Sequence, residues 1–433
     1  MRWLRTTLPL LLPLPLLVPG PGRAELFESE RRIAAAVDAA VPDGLALLAR
    51  SVDINSGTMN FEGIREVGAL FRAEFEELGF SARWEDGAAW GRAGHLVAER
   101  PGNGSGPRVL FIGHLDTVFE PDSPFQRYEA LPDSMARGPG VIDMKGGIVV
   151  MLLALRALAE NDALEDLSIS VVLTGDEEKS GRPLSLARRD LLSAAGGADA
   201  ALGFEDGDGD PRTAVIARRG SEGWTLRTAG VPSHSSQIFQ EDVGSGAIFE
   251  AARILAAFHD SLGGELHLTF NPGAIVGGTT VTFDREESRG TAFGKSNVVA
   301  ESTLVAGDLR ALTVAQRDRA REKMRRIVAA NHPGTRAEIV FHDGYPPLAP
   351  TAGNRQLLAL LDRASRDLGL GSVEPVDPAR AGAADISFTA GHVDMALDGL
   401  GLMGTGGHTV EETADLRTLS GQAKRVAILL FRL

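Results

Sequence analysis

Three short apolar runs constrain this chain more than anything else in it: "PRVLFIG" at 107–113, "SISVVL" at 168–173 and "ADAALGF" at 198–204. Each has strand length rather than helix length, and its apolar residues are nearly continuous, as in strands buried on both faces. Around them lie segments with helical spacing, at 25–41, 61–79 and 146–161. Buried strands alternating with helices predict an α/β unit, a mostly parallel sheet with helices on both faces.

The character changes near residue 214. "TAVIARRGSEGWTLRTAG" alternates like a half-exposed strand, and helical spacing follows at 245–262. Strand-like runs appear around "ELHLTF", "GGTTVTF" and "SNVVAESTLVAGDLR", then a helix at 314–331 and a strand in "AEIVFHDG". This predicts a smaller α+β unit with an antiparallel sheet over 214–342. Beyond it α/β character resumes, with helices at 354–369 and 418–433 and a strand and loop in "GLGLMGTG". The second unit is therefore inserted into the first, which takes 25–213 and 343–433. A chain of 433 residues is long enough for two or three folded units.

Composition narrows the function classes. The net charge of −14 argues against nucleic acid, which needs a basic face. With no cysteine, disulfides, thiolate metal sites and a cysteine nucleophile are excluded. Residues 1–24 have a basic start (Arg2, Arg5), a short apolar stretch and a small-x-small ending at Ala24. That is the pattern of a cleaved export signal. The stretch is too short to span a bilayer and carries Pro9, Pro13 and Pro15. An exported protein, periplasmic or secreted and free of the membrane after cleavage, is expected.

Two nucleotide-like motifs fail on context. "GLGLMG" at 399–404 has no crossover unit after it, and "GTAFGKS" at 290–296 is one residue short of a phosphate loop. No G-x-S-x-G is present. What remains is a series of polar residues placed where strands end. His114 and Asp116 follow the first run, and Glu177 and Glu178 follow the second in "TGDEEKSG". Glu205 follows the third, Asp143 begins the helix near Lys145, and His408 follows the late strand. Strand carboxyl ends form the ligand crevice of an open α/β sheet, so these residues can converge. Two imidazoles and three carboxylates suit one or two divalent ions of the zinc, cobalt or manganese type. Three carboxylates offset only part of the charge of two such ions. The site stays positive enough to hold a bridging hydroxide and polarise a carbonyl. Spacing does not decide which of the paired glutamates is a ligand and which a base.

The strings "GHLDTVF", "GPGVIDMKGG", "TGDEEKSG", "GFEDG" and "GGHTVEE", in this order, resemble the family of dizinc hydrolases that includes glutamate carboxypeptidase, aminoacylase and succinyl-diaminopimelate desuccinylase. "GVPSHSS", "NPGAIVGGT", "SNVVAES" and "GDLR" resemble its lid domain. The likeness implies that Asp143 bridges two metals and is followed by a cis peptide bond. It implies His114 and Glu205 at one metal, Glu178 and His408 at the other, and Glu177 as general base. Asp116 would orient His114 through its other ring nitrogen. On the lid, His234 would stabilise the oxyanion, from the same chain or from a partner in a lid-mediated homodimer. Asn297 and Arg310 would hold substrate. Met144 departs from the second Asp that many members carry there. Glu205 resembles the glutamate carboxypeptidase branch.

The expected activity is therefore hydrolysis of a peptide or N-acyl amide bond next to a free carboxylate. The alternatives are an N-acyl amino acid deacylase or dipeptidase of the same fold, and a non-catalytic exported protein that binds metal or ligand. The binding protein would have no use for a general base.

Overall fold

The computed structural model describes residues 26–285 and 287–433. The expected export segment, 1–24, lies outside them. Among the described residues no helix is long and apolar enough to cross a membrane.

The main sheet has six strands, in the order Ser81–Asp86, Gly94–Arg100, Ser168–Thr174, Arg108–His114, Ala200–Gly203 and Met395–Leu397. The last four run parallel; the first two add an antiparallel edge. Both faces are covered, and alternate residues of one strand show it. Val109 and Phe111 join the large apolar cluster on one side, while Leu110 and Ile112 join a smaller one on the other. Such two-sided burial is what continuous apolar strands require. The helix Lys145–Ala159 is buried around nearly its whole circumference, between the helices Glu28–Val52 and Arg417–Phe431. An all-round apolar helix needs such a place.

The second sheet is antiparallel, in the order Thr269–Gly278, Ser302–Ala311, Gly220–Ala229 and Arg336–Phe341. Helices Gly246–Leu262 and Val314–Ala329 pack on it around Trp224, Leu226, Ile254, Phe258, Leu309 and Met324. This cluster is separate from those of the main sheet.

Four sequence expectations need correction. The first helix does not stop at Pro42 but runs to Val52, because Leu47, Leu48 and Val52 complete the core against the helix Lys145–Ala159. The two edge strands Ser81–Asp86 and Gly94–Arg100 were not anticipated. The strand expected at "ELHLTF" begins only at Thr269, since His267 adopts a left-handed φ of 62° and Leu266 points to solvent. The late strand is Met395–Leu397, not "GLGLM". Gly404–Thr405 instead pairs with Thr413–Asp415 in a small separate sheet with Met135–Arg137 and Glu129–Leu131.

Candidate metal centre

Strand order explains the convergence at the site. Arg108–His114 lies between Ser168–Thr174 and Ala200–Gly203, and neighbouring parallel strands stand about 4.8 Å apart. His114 thus ends the central strand, with the Glu177–Glu178 turn to one side and Glu205 to the other. Asp143 sits at the entry to the helix Lys145–Ala159, and the Asp143–Met144 peptide bond is cis. His408 arrives from the turn between the short strands Gly404–Thr405 and Thr413–Asp415, in a left-handed conformation with φ 63°.

The five groups meet. Asp143 divides its oxygens: Oδ1 lies 3.0 Å from His114 Nε2 and Oδ2 lies 2.9 Å from His408 Nε2. Glu205 Oε1 is 3.6 Å from His114 Nε2, and Glu178 Oε2 is 3.2 Å from His408 Nε2. One ligand atom each of His114, Asp143 and Glu178 falls within 4.8 Å of the others. Among the described residues, the ion-pair partners of Asp143, Glu178 and Glu205 are histidines, not Lys or Arg. Burial works against charge on His114, but Glu205, Asp116 and Asp143 outweigh it and hold the imidazole well above its ordinary value. Hydrogen bonds to Asp143 and Glu178 push His408 up to about 11. Burial pushes Glu178 up to about 7. Such a field favours cations. The donor set fits two divalent ions, one near His114 and Glu205, one near Glu178 and His408, with Asp143 between them.

Asp116 differs in detail from the expectation. The nearest oxygen to His114 Nδ1 is the Asp116 carbonyl, at 3.0 Å, with the carboxylate at 3.5 Å. That buried carboxylate chiefly holds the glutamate turn, accepting from Glu177 N (3.0 Å), Glu178 N (3.1 Å) and Thr58 Oγ1 (2.7 Å). Glu177 is half-buried and burial pushes its carboxyl well above the usual range. Among the described residues its carboxylate takes no hydrogen bond or ion pair, while its main chain is bonded at both N and O.

The remaining expected residues lie elsewhere. His234 and Asn297 are exposed and adjacent on the second sheet's side, joined by Ser235 N to Asn297 O at 2.9 Å. Arg310 pairs with Asp308 on its own strand at 3.0 Å. Among the described residues, no hydrogen bond or ion pair links these three to the cluster. A cavity of about 490 Å³ opens beside Asp143 and His408, walled by Asp206, Asp208 and Arg380.

Sequence reasoning missed several supports. Glu412 is fully buried and accepts from the main-chain N–H groups of Gly140, Ile142 and Asp143. Arg188, also fully buried, binds Asp176 at 2.6 Å and Asp385 at 2.7 Å beneath the glutamate turn. His95 Nδ1 accepts from Gly175 N at 3.1 Å. Glu412 lies in "GGHTVEE" and Asp176 in "TGDEEKSG", but no local pattern marks Arg188 or His95.

Known proteins resemble this chain in sequence and in fold. Carboxypeptidase G2 of Pseudomonas sp. (strain RS-16) is 25% identical over 374 residues, covering 85% of this chain and 83% of that one. Aminopeptidase PepT from Bacillus cereus superposes with a TM-score of 0.66 at 20% identity, covering 93% of this chain and 98% of the other. The Bacillus subtilis YXEP protein, a dinuclear metal binding peptidase from the M20 family, gives a TM-score of 0.63 at 16% identity, over 91% and 98%. Residues 110–431 match the sequence profile of peptidase family M20/M25/M40, and the chain, a hydrolytic enzyme, belongs to that family.

Proposed function

We propose that this enzyme is a carboxypeptidase-like amidohydrolase that cleaves a peptide or N-acyl amide bond next to a free carboxylate. One observation carries the reading: a half-buried glutamate, without a side-chain partner among the described residues, stands beside five converging metal donors. His114, Glu205 and Asp143 would hold one divalent ion, and Glu178, His408 and Asp143 the other. Zinc suits this donor set first, with cobalt or manganese as alternatives. When bound, the ions would supply Lewis-acid polarisation of the scissile carbonyl. Glu177 takes the proton of the attacking water and returns it to the leaving nitrogen. Asp116 fixes the direction of Glu177 through its main-chain N–H.

Residues 25–213 with 343–433 form the catalytic unit in this proposal, and 214–342 a lid and dimerisation unit. The lid's His234 stabilises the oxyanion, in cis or from a second copy. Asn297 and Arg310 hold the substrate, the arginine turning from Asp308 to a substrate carboxylate. Apolar residues exposed on helix Gly246–Leu262 and edge strand Thr269–Gly278 (Ile248, Phe249, Ile275) favour pairing with a second copy. Export with cleavage after Ala24 completes the proposal; N-terminal sequencing of the mature protein would check it. A dipeptidase reading is favoured by Asp206 in the wall of the cavity, which would attract a free amine, whereas its neighbour Asp208 is paired with Arg380 at 3.1 Å.

The test is a substrate panel with metal-loaded enzyme: C-terminal dipeptides, acyl-glutamates and N-acetyl amino acids. Preference for a free carboxylate beside the scissile bond supports the first reading, and a requirement for a free amine the second. Glu177→Ala should abolish turnover with two metals retained, whereas Glu178→Ala should lose metal. Equal metal content in both, by elemental analysis, would sink that division of labour.

A further inference from the structure

The chain crosses twice between the sheets, and the crossings lie against each other as a short ribbon. Arg218 and Leu348 exchange two main-chain bonds of 3.0 Å, Ser221 N donates to Tyr345 O at 3.0 Å, and His342 N to Gly223 O at 2.8 Å. The approach leaves no room for a side chain at two positions: a Cβ on Gly344 would lie 2.0 Å from Ser221 O, and one on Gly220 2.7 Å from Pro347 N.

From this ribbon Tyr345 reaches into the turn that carries the glutamates. Its hydroxyl donates to Glu177 O at 2.9 Å, accepts from Arg188 Nη2 at 2.9 Å, and lies 3.2 Å from Ser180 Oγ. The ring is seated against Phe388, with centroids 5.1 Å apart. A second tie runs from the same turn, Arg182 Nη1 donating to Asp343 O at 2.9 Å. Glu177 is thus gripped through its main chain alone, its N–H by Asp116 and its carbonyl by Tyr345. Because its carboxylate has no hydrogen-bond or ion-pair partner among the described residues, the backbone decides where that carboxylate stands.

We propose that Tyr345 is a positioning residue for Glu177, and that the ribbon carrying Tyr345 couples the setting of the second sheet to the placement of the base. The proposal rests on the reading of Glu177 as that base. A displacement of about 1 Å at a catalytic group can cost on the order of 100-fold in rate, so one hydroxyl is enough to matter.

Tyr345→Phe removes the hydroxyl and keeps the ring. In the full-length, metal-loaded enzyme, on its best panel substrate, kcat should fall about 10-fold or more with KM changed less than about twofold and metal content unaltered. Amide hydrogen exchange in residues 175–182 should speed up several-fold, with the rest of the chain unchanged. Native exchange in that segment, or native kcat in Tyr345→Phe while Glu177→Asp loses turnover, overturns the proposal. Native kcat in Glu177→Asp overturns the base reading itself, a separate result. Should Tyr345→Phe fail to fold, Arg182→Ala probes the second tie from the partly exposed end of the turn. It should speed exchange in the same segment and lower kcat at least threefold, and native values for both would overturn the coupling.

Discussion

Replacing Glu412 should dismantle the turn that presents Asp143. The side chain is fully buried, and its carboxylate accepts three main-chain bonds, from Gly140 N at 3.1 Å, Ile142 N at 2.9 Å and Asp143 N at 3.2 Å. Glu412→Ala leaves three main-chain donors unmatched, two of them buried, and each buried one costs about 1–3 kcal/mol, so the loss is at least about 2 kcal/mol. Glu412→Gln keeps one oxygen for Ile142 and Asp143 but turns an amide N–H₂ toward Gly140 N. That loses one bond and leaves Gly140 N–H facing the new amide N–H₂, a smaller loss than the three bonds removed by Glu412→Ala. Glu411 is a built-in control: its side chain is 78% exposed and its nearest cation, on Arg137, is 3.8 Å away. Glu411→Ala should stay within about 0.5 kcal/mol of the parent. The assay is the urea unfolding midpoint of each metal-free variant, with metal per chain after loading. Stability and metal content should both fall in the order parent, Gln, Ala. If Glu412→Ala unfolds and loads metal as Glu411→Ala does, the carboxylate is not what holds the Asp143 turn.

Arg188→Met should cost about 3–5 kcal/mol, read as soluble yield and urea midpoint, because Asp176 and Asp385 would be left buried without their cation. A parent-like midpoint would mean that those acids are neutralised some other way. Burial opposes charge on Glu30, but Arg432 at 2.7 Å and the Phe27 N–H outweigh it and hold the carboxyl below its ordinary value. A depressed folded pKa stabilises above the unfolded value and loses that contribution as pH falls through the folded one. Glu30→Gln should therefore destabilise by about 1.5–3 kcal/mol at pH 7, and the gap should close below about pH 4; a pH-independent gap would reject the ionic account. On the proposed pairing with a second copy, Ile248→Asp combined with Ile275→Asp should lower the sedimentation coefficient of the parent from dimer to monomer by analytical ultracentrifugation. An unchanged sedimentation coefficient would remove that face from the assembly.

Local pattern alone determined three of the four parallel strands of the main sheet and most helices. A strand covered on both faces has to be apolar at nearly every position, so 108–114, 168–174 and 200–203 announce themselves. It also indicated where polar residues collect, because the apolar run stops where the sheet edge meets the crevice, and His114, Glu177, Glu178 and Glu205 stand there. Tertiary structure decided the rest, since those choices depend on partners far away in sequence. The first helix passes Pro42 because the core beyond rewards it. Strand Ser81–Asp86, with charged residues at Arg83, Glu85 and Asp86, is held by its pairing with Gly94–Arg100. His408 enters from a small sheet whose strands come from 129–137 and 404–415. The Glu177–Glu178 turn takes its place from Asp116, Arg188 and Tyr345, which are 61, 12 and 168 residues away from their bonded partners in it. Apolar periodicity is a property of neighbours along the chain. The aim of a carboxylate is set by groups brought together only when the chain has folded.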